Sequence, residues 1–136
     1  MRRKILHATV RTPAPEAVYR RARTADDLLG VRFTAEEIVF PVRLHREYLP
    51  YAEIVWTYLY VRETSVNTGE FDGSCVVDCR LVMYTEDGAC AAIRFDRTAY
   101  GQHALERIAA AAPRMAVGFT PENRARFPFP PPDWQR

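Results

Sequence analysis

Lysine is almost absent from this chain: Lys4 stands alone among 19 basic residues, and the other 18 are arginine. That bias reads as the codon preference of a GC-rich bacterial genome rather than as selection for guanidinium chemistry. Glycine is scarce too, six residues scattered over 136, which excludes a glycine-rich loop cradling phosphate. No Walker lysine, nucleophile-elbow serine or His-Glu-x-x-His helix is present either. Cysteine is limited to Cys75, Cys79 and Cys90, an odd number on expected strands, which excludes the disulfide framework of a small secreted domain. Long apolar runs are missing, since no stretch approaches the roughly 18 residues that span a bilayer. The opening Met1-Arg2-Arg3-Lys4 is followed by only Ile5-Leu6 before His7, too little for the apolar core of a signal peptide. These absences predict a soluble cytoplasmic protein.

With 48% apolar residues in 136, the chain can build one hydrophobic core and is too short for two. Net charge is only +2, but it is unevenly distributed. Residues 1–46 carry ten basic against five acidic residues, 47–112 carry five against ten, and 113–136 carry four against two. Oppositely charged regions can attract within one molecule or between neighbours.

Along the chain, Thr12-Pro13-Ala14-Pro15-Glu16 offers a capping residue, an early proline and an early acid, which predicts a short helix over Pro15 to Arg23 with Val18, Tyr19 and Ala22 inward. Thr24 to Gly30 reads as a second capped turn ended by glycine. Val31–Phe33 and Ile38–Leu44 are expected strands joined by a hairpin-sized connection. Ile38, Phe40, Val42 and Leu44 should face the core, with Val39 and Pro41 outward and the strand near an edge or a bend. Tyr51 to Val66 is the longest strand candidate and is apolar on both faces. Ile54, Trp56, Tyr58 and Tyr60 share one face, so each side of the strand needs a cover, supplied by the chain's own extensions or by another subunit. Cys75–Tyr84 and Ala89–Asp96 form a hairpin whose register follows from parity. A three-residue Glu86-Asp87-Gly88 loop sets Leu81 opposite Ile93 and Cys79 opposite Phe95, requires a left-handed Gly88, and turns Cys90 outward. Thr98 should cap a helix with Gly101, Leu105, Ile108 and Ala112 on one stripe, ended by Pro113. The proline-rich stretch Phe127 to Trp134 must be extended, either strapped over the surface or offered to a partner.

Leu49-Pro50-Tyr51-Ala52-Glu53-Ile54, the helix Gln102 to Ala112 and the stretch Pro113 to Phe127 resemble bacterial pleckstrin-homology-like (PH-like) domains. The resemblance implies a mainly β fold with α: a small bent antiparallel barrel or roll closed by one C-terminal helix. The organisation that follows is an N-terminal extension over 1–30, barrel and capping helix over 31–112, and a proline-rich tail over 113–136 packing on the domain. In phosphoinositide-binding PH domains the first hairpin loop supplies basic residues. Here that loop is Thr34-Ala35-Glu36-Glu37, which argues against a membrane-lipid ligand.

Few groups are placed for chemistry. On a strand, the sulfurs of Cys75 and Cys79 would lie about 13 Å apart at about 3.3 Å per residue, too far to share a metal ion. Asp78 and Arg80 on one strand and Arg94 and Asp96 on the next suggest crossed ion pairs. Aromatic residues do not interleave with basic ones, so nucleic acid is not an expected partner. No catalytic residue, cofactor or metal is assigned. The reading is a non-enzymatic protein-interaction or self-association module, forming a homo-oligomer or meeting a protein partner through Ile54, Trp56, Tyr58, Tyr60, Phe129 and Trp134. The alternative is a small enzyme or ligand-binding protein using a barrel–helix cleft, with His45, Asp96 and His103 as polar contacts.

Overall fold

A computed structural model describes residues 20–28, 30–41, 46–66 and 74–135. Two four-stranded sheets carry the fold. The first joins β1 (Asp26–Leu28), β2 (Val31–Phe33), β3 (Glu37–Pro41) and β4 (Arg46–Pro50) in chain order, each antiparallel to the next. A 3-10 turn, Tyr51–Glu53, then leads into β5 (Ile54–Val66). The second sheet runs in the order β7 (Cys90–Phe95), β6 (Ser74–Thr85), β5 and β8 (Ala116–Val117), with β8 parallel to β5. Helix α1 (Thr98–Ala111) follows β7, and a short helix α2 (Pro121–Arg126) follows β8.

The fold is mainly β with a C-terminal helix, as expected, but the strands do not close a barrel. Among the described residues no ladder joins the two sheets. They instead share a core: Val31, Phe33, Ile38, Phe40 and Leu49 from the first sheet meet Leu81, Met83, Ala91, Ile93 and Phe95 from the second, with Ala104 and Ile108 of α1 completing the plug. Gly101 is what lets α1 approach so closely. A Cβ there would stand 2.7 Å from both the Cys79 sulfur and Leu59 Cδ1.

The β6–β7 hairpin has the expected register, with Leu81 opposite Ile93 and Cys79 opposite Phe95. Gly88 adopts φ +85° in its loop, and its N–H donates to the Thr85 carbonyl at 3.0 Å. That left-handed residue closes the three-residue turn at no steric cost.

Several expectations are corrected. Asp26–Leu28 is a strand paired with Val31–Phe33 across Gly30 (φ +89°), not a capped turn. Strand β3 is interior rather than at an edge. Pro41 is tolerated because it lies at the strand's end, where it pairs with Arg46 of β4 alone and β2 has already stopped. Val39 points away from the main core yet is 1% exposed, since the helical residues 20–22 bring Ala22 over it. Tyr51–Glu53 is a 3-10 turn, not strand. Arg97, without a side-chain capping bond, precedes α1, and Thr98 is its first residue. The stretch Phe127 to Trp134 is not extended to its end, because a 3-10 turn begins at Asp133. Expectations for Val42, Leu44 and His45, and for the residues before Arg20, lie outside the described residues.

Arg21 ties the helical residues to the first sheet. Its guanidinium pairs with Glu37, donating from Nε at 3.1 Å, and lies 3.3 Å from Glu36. Thr34 donates its hydroxyl to the same Glu37 carboxylate. Burial would raise the Glu37 carboxyl, but the bonds from Arg21 and Thr34 outweigh it and hold the pKa below its usual value. The acidic loop that argued against headgroup binding is therefore an internal anchor.

Candidate functional site

Alternation on β5 and β6 sends Thr57, Leu59, Leu81 and Met83 toward the shared core and Trp56, Tyr58, Val82 and Tyr84 to the opposite face. A bulge between Ile54 and Trp56 breaks that alternation at the start of β5. Ile54 consequently joins the shared core, whereas Val55 packs with the aromatic residues. The expected four-residue face thus loses Ile54, gains Tyr84, and becomes an aromatic floor.

This floor is not open to solvent. Trp56 is 2% and Tyr58 1% exposed. The chain returns over it three times. First, β8 pairs beside Trp56 and Thr57, and the Trp56 indole N–H donates to the Gly118 carbonyl at 2.9 Å. Next, α2, capped by the Thr120 hydroxyl accepting from the Asn123 N–H at 3.2 Å, brings Phe119 and Phe127 parallel to the Trp56 ring at centroid distances of 6.0 and 5.7 Å. Last, the strap 127–135 crosses Tyr84 and Tyr60. Phe129 stacks on Tyr84 at 5.4 Å, and Trp134 meets Tyr60 edge-on at 5.1 Å. The Arg80 guanidinium lies 4.2 Å from the Trp134 ring centre, a cation–π contact. The Tyr58 hydroxyl donates to the Gln135 side-chain carbonyl at 2.7 Å, and the Tyr84 hydroxyl to the Pro130 carbonyl at 3.3 Å. Burial raises the pKa of both phenols, so they remain donors at neutral pH.

Two concavities flank the strap. One, of about 430 Å³, lies between Trp56, Tyr58, Tyr84, Phe119 and Arg124. The other, of about 810 Å³, opens where the second sheet meets the end of α1. Its apolar walls include Tyr51, Ala52, Ile54, Ala112, Met115 and Phe129, and Arg114, Arg126 and Glu86 also line it.

Of the residues expected at an interaction surface, Trp56, Tyr58, Tyr60, Phe129 and Trp134 come together in one aromatic cluster. Asp96 and His103 are both exposed and line neither concavity, and His45 lies outside the described residues. No group of three or more His, Cys, Asp or Glu that could hold a metal ion occurs among the described residues. The crossed ion pairs are rearranged. Arg80 and Arg94 stand opposite each other, and both reach Asp78, at 3.0 and 3.6 Å.

Cys90 is outward relative to the shared core, as parity requires, but it is half-buried against the aromatic cluster. Burial pushes its thiol up to about 12, and that of Cys79 up to about 11. Sequence reasoning missed Phe119, Arg80 and Gln135 at this site. Tyr84 was accessible to it, because the hairpin register that put Leu81 inward also puts Tyr84 on the opposite face.

A family described as "Domain of unknown function (DUF6709)" matches residues 3–127. No curated protein and no solved structure matches. No helix among the described residues is long and apolar enough to cross a membrane.

Proposed function

The chain belongs to the DUF6709 family, and we propose that it is a non-catalytic protein-interaction domain whose contact site is the cleft between the second sheet, the end of α1 and the strap. The observation that carries this reading is the cleft itself: about 810 Å³ of mainly apolar walls with two arginines and one glutamate among its lining residues. An apolar floor with a few polar groups is what both peptide anchors and small ligands require. A PH-like arrangement is the fold proposal that accompanies it, supported by two mainly antiparallel β layers with a C-terminal helix packed on the second sheet and reaching the shared core. A cytoplasmic setting is in keeping with the free thiols Cys79 and Cys90.

Replacing Ala112 with Trp fills the cleft from its α1 side, so the test compares that variant with the native chain. Affinity capture from the same cells, quantified protein by protein, should lose specific partners with Ala112→Trp, and identical profiles would sink the reading. Light scattering over a concentration series decides between self-association and a different partner. A dimer abolished by Ala112→Trp identifies a second copy as the occupant, whereas a monomer throughout excludes one. A second reading, a small amphiphilic ligand, is supported by the same volume and by the pair Arg114 and Arg126, which suit an anionic head group. Native mass spectrometry of gently purified protein would reveal it as a bound mass.

A further inference from the structure

The strap is held to the aromatic floor as a ligand is held, not as a strand is. With Pro128, Pro130, Pro131 and Pro132, it has few backbone donors to offer a ladder. Its backbone-to-backbone bonds among the described residues run to itself and to α2: Phe129 N–H to the Phe127 carbonyl at 2.8 Å, Gln135 N–H to the Pro132 carbonyl at 2.9 Å, and Phe127 N–H to the Asn123 carbonyl at 2.9 Å. What joins it to the second sheet is ring stacking, one cation–π contact and two tyrosine hydroxyls donating to its carbonyl oxygens. A proline-rich segment lying across aromatic rings, with side-chain donors reading its carbonyls, is a general mode of peptide recognition.

We propose that the floor formed by Trp56, Tyr58, Tyr60 and Tyr84 is a receptor groove for an extended proline- and aromatic-rich segment of a partner protein, and that 127–135 occupies it in cis. The floor belongs to the strands and is braced independently of the strap, through the β5–β6 ladder and the Trp56 bond to Gly118. It also falls within the residues matching the family, whereas everything after Phe127 does not. The fit of the strap is incomplete in two places. About 430 Å³ stays open between the floor, Phe119 and Pro131. The buried Trp134 indole N–H also meets no acceptor among the described residues. A partner segment that fills the first, and that buries no unpaired indole donor of its own in place of Trp134, competes with the strap on better terms. The partner is thus a peptide of the strap's own chemistry: prolines two residues apart between aromatic rings, followed by an aromatic residue and a side-chain carbonyl.

The test uses the full chain and a fluorescein-labelled peptide of sequence FPFPPPDWQ, followed by anisotropy. Trp134→Ala loosens the strap and should bind the peptide about tenfold more tightly than the native chain, since a buried tryptophan anchor is typically worth at least that factor. Adding Tyr84→Phe to Trp134→Ala should weaken binding several-fold, and a peptide with its prolines changed to alanine should bind poorly to every chain. Near-ultraviolet circular dichroism checks the fold, and Gln135→Ala serves in place of Trp134→Ala if the latter is unfolded. Equal affinity of native and loosened chains, or indifference to the proline changes, overturns the proposal. So does a loosened chain that exchanges straps with a second copy and excludes the peptide. The same measurement on Trp134→Ala/Ala112→Trp separates the groove from the cleft: retained peptide binding supports the groove, and lost binding places the peptide in the cleft instead.

Discussion

At the scale of single residues, two positions carry consequences beyond their size. Gly88 holds φ +85°, and a Cβ there would lie 3.1 Å from Phe129 Cδ1. Valine at this position meets both the left-handed penalty and the strap, so Gly88→Val should cost about 1–3 kcal/mol, read from urea denaturation. An unchanged midpoint would contradict the hairpin assignment. Glu37 is buried, and its pKa is depressed by Arg21 and Thr34. A depressed carboxylate contributes stability that is present above its unfolded pKa of about 4.3 and lost as pH falls through the folded value. Thermal melts of the native chain should therefore fall more steeply below about pH 4 than those of Glu37→Gln, whose amide does not titrate there. Parallel curves would show that the Arg21 pairing contributes little.

Between elements, contact distance decides what can be substituted. Gly101→Ala improves helix propensity by about 1 kcal/mol. It also drives a methyl into Cys79 and Leu59, an overpacking cost of about 1–3 kcal/mol. The second effect should dominate, and the double variant Cys79→Ala/Gly101→Ala should recover part of the loss by vacating one of the two contacts. The strap's hold on the sheet has its own reporter in Cys90. Burial raises the thiol pKa to about 12, so little thiolate is present at pH 8, and its half-buried position limits access as well. Iodoacetamide should label native Cys90 slowly, and Trp134→Ala should accelerate Cys90 about tenfold or more while leaving Cys79, sealed beneath α1, unchanged. Fast labelling of Cys90 in the native chain would mean that the strap does not cover it.

For the whole molecule, the covered floor changes what a Trp56 variant reports. Were the aromatic face an exposed oligomer contact, Trp56→Glu would dissociate an otherwise folded protein. Because Trp56 is 2% exposed and touches Tyr58, Tyr84, Phe119 and Phe127, the substitution should instead lower stability by more than the roughly 3–5 kcal/mol of a Trp-to-Ala truncation, since it also buries a carboxylate. Calorimetry distinguishes the two, and an unchanged melting temperature would restore the open-surface view. The parity of β6 and β7, the need for glycine at position 88, the helical stripe of α1 and the demand for a cover on both faces of β5 were all determined by sequence, because each depends on local periodicity or on a single residue's backbone freedom. Which cover is used was not. The choice among tail, neighbour and solvent depends on contacts between residues some 60–80 positions apart, such as Trp56 with Gly118 and Tyr58 with Gln135. Local pattern carries no trace of them. The bulge that moves Ile54 into the core and the cover that makes Val39 interior are likewise tertiary decisions, because a side chain's face is local but its burial depends on what the rest of the chain lays over it.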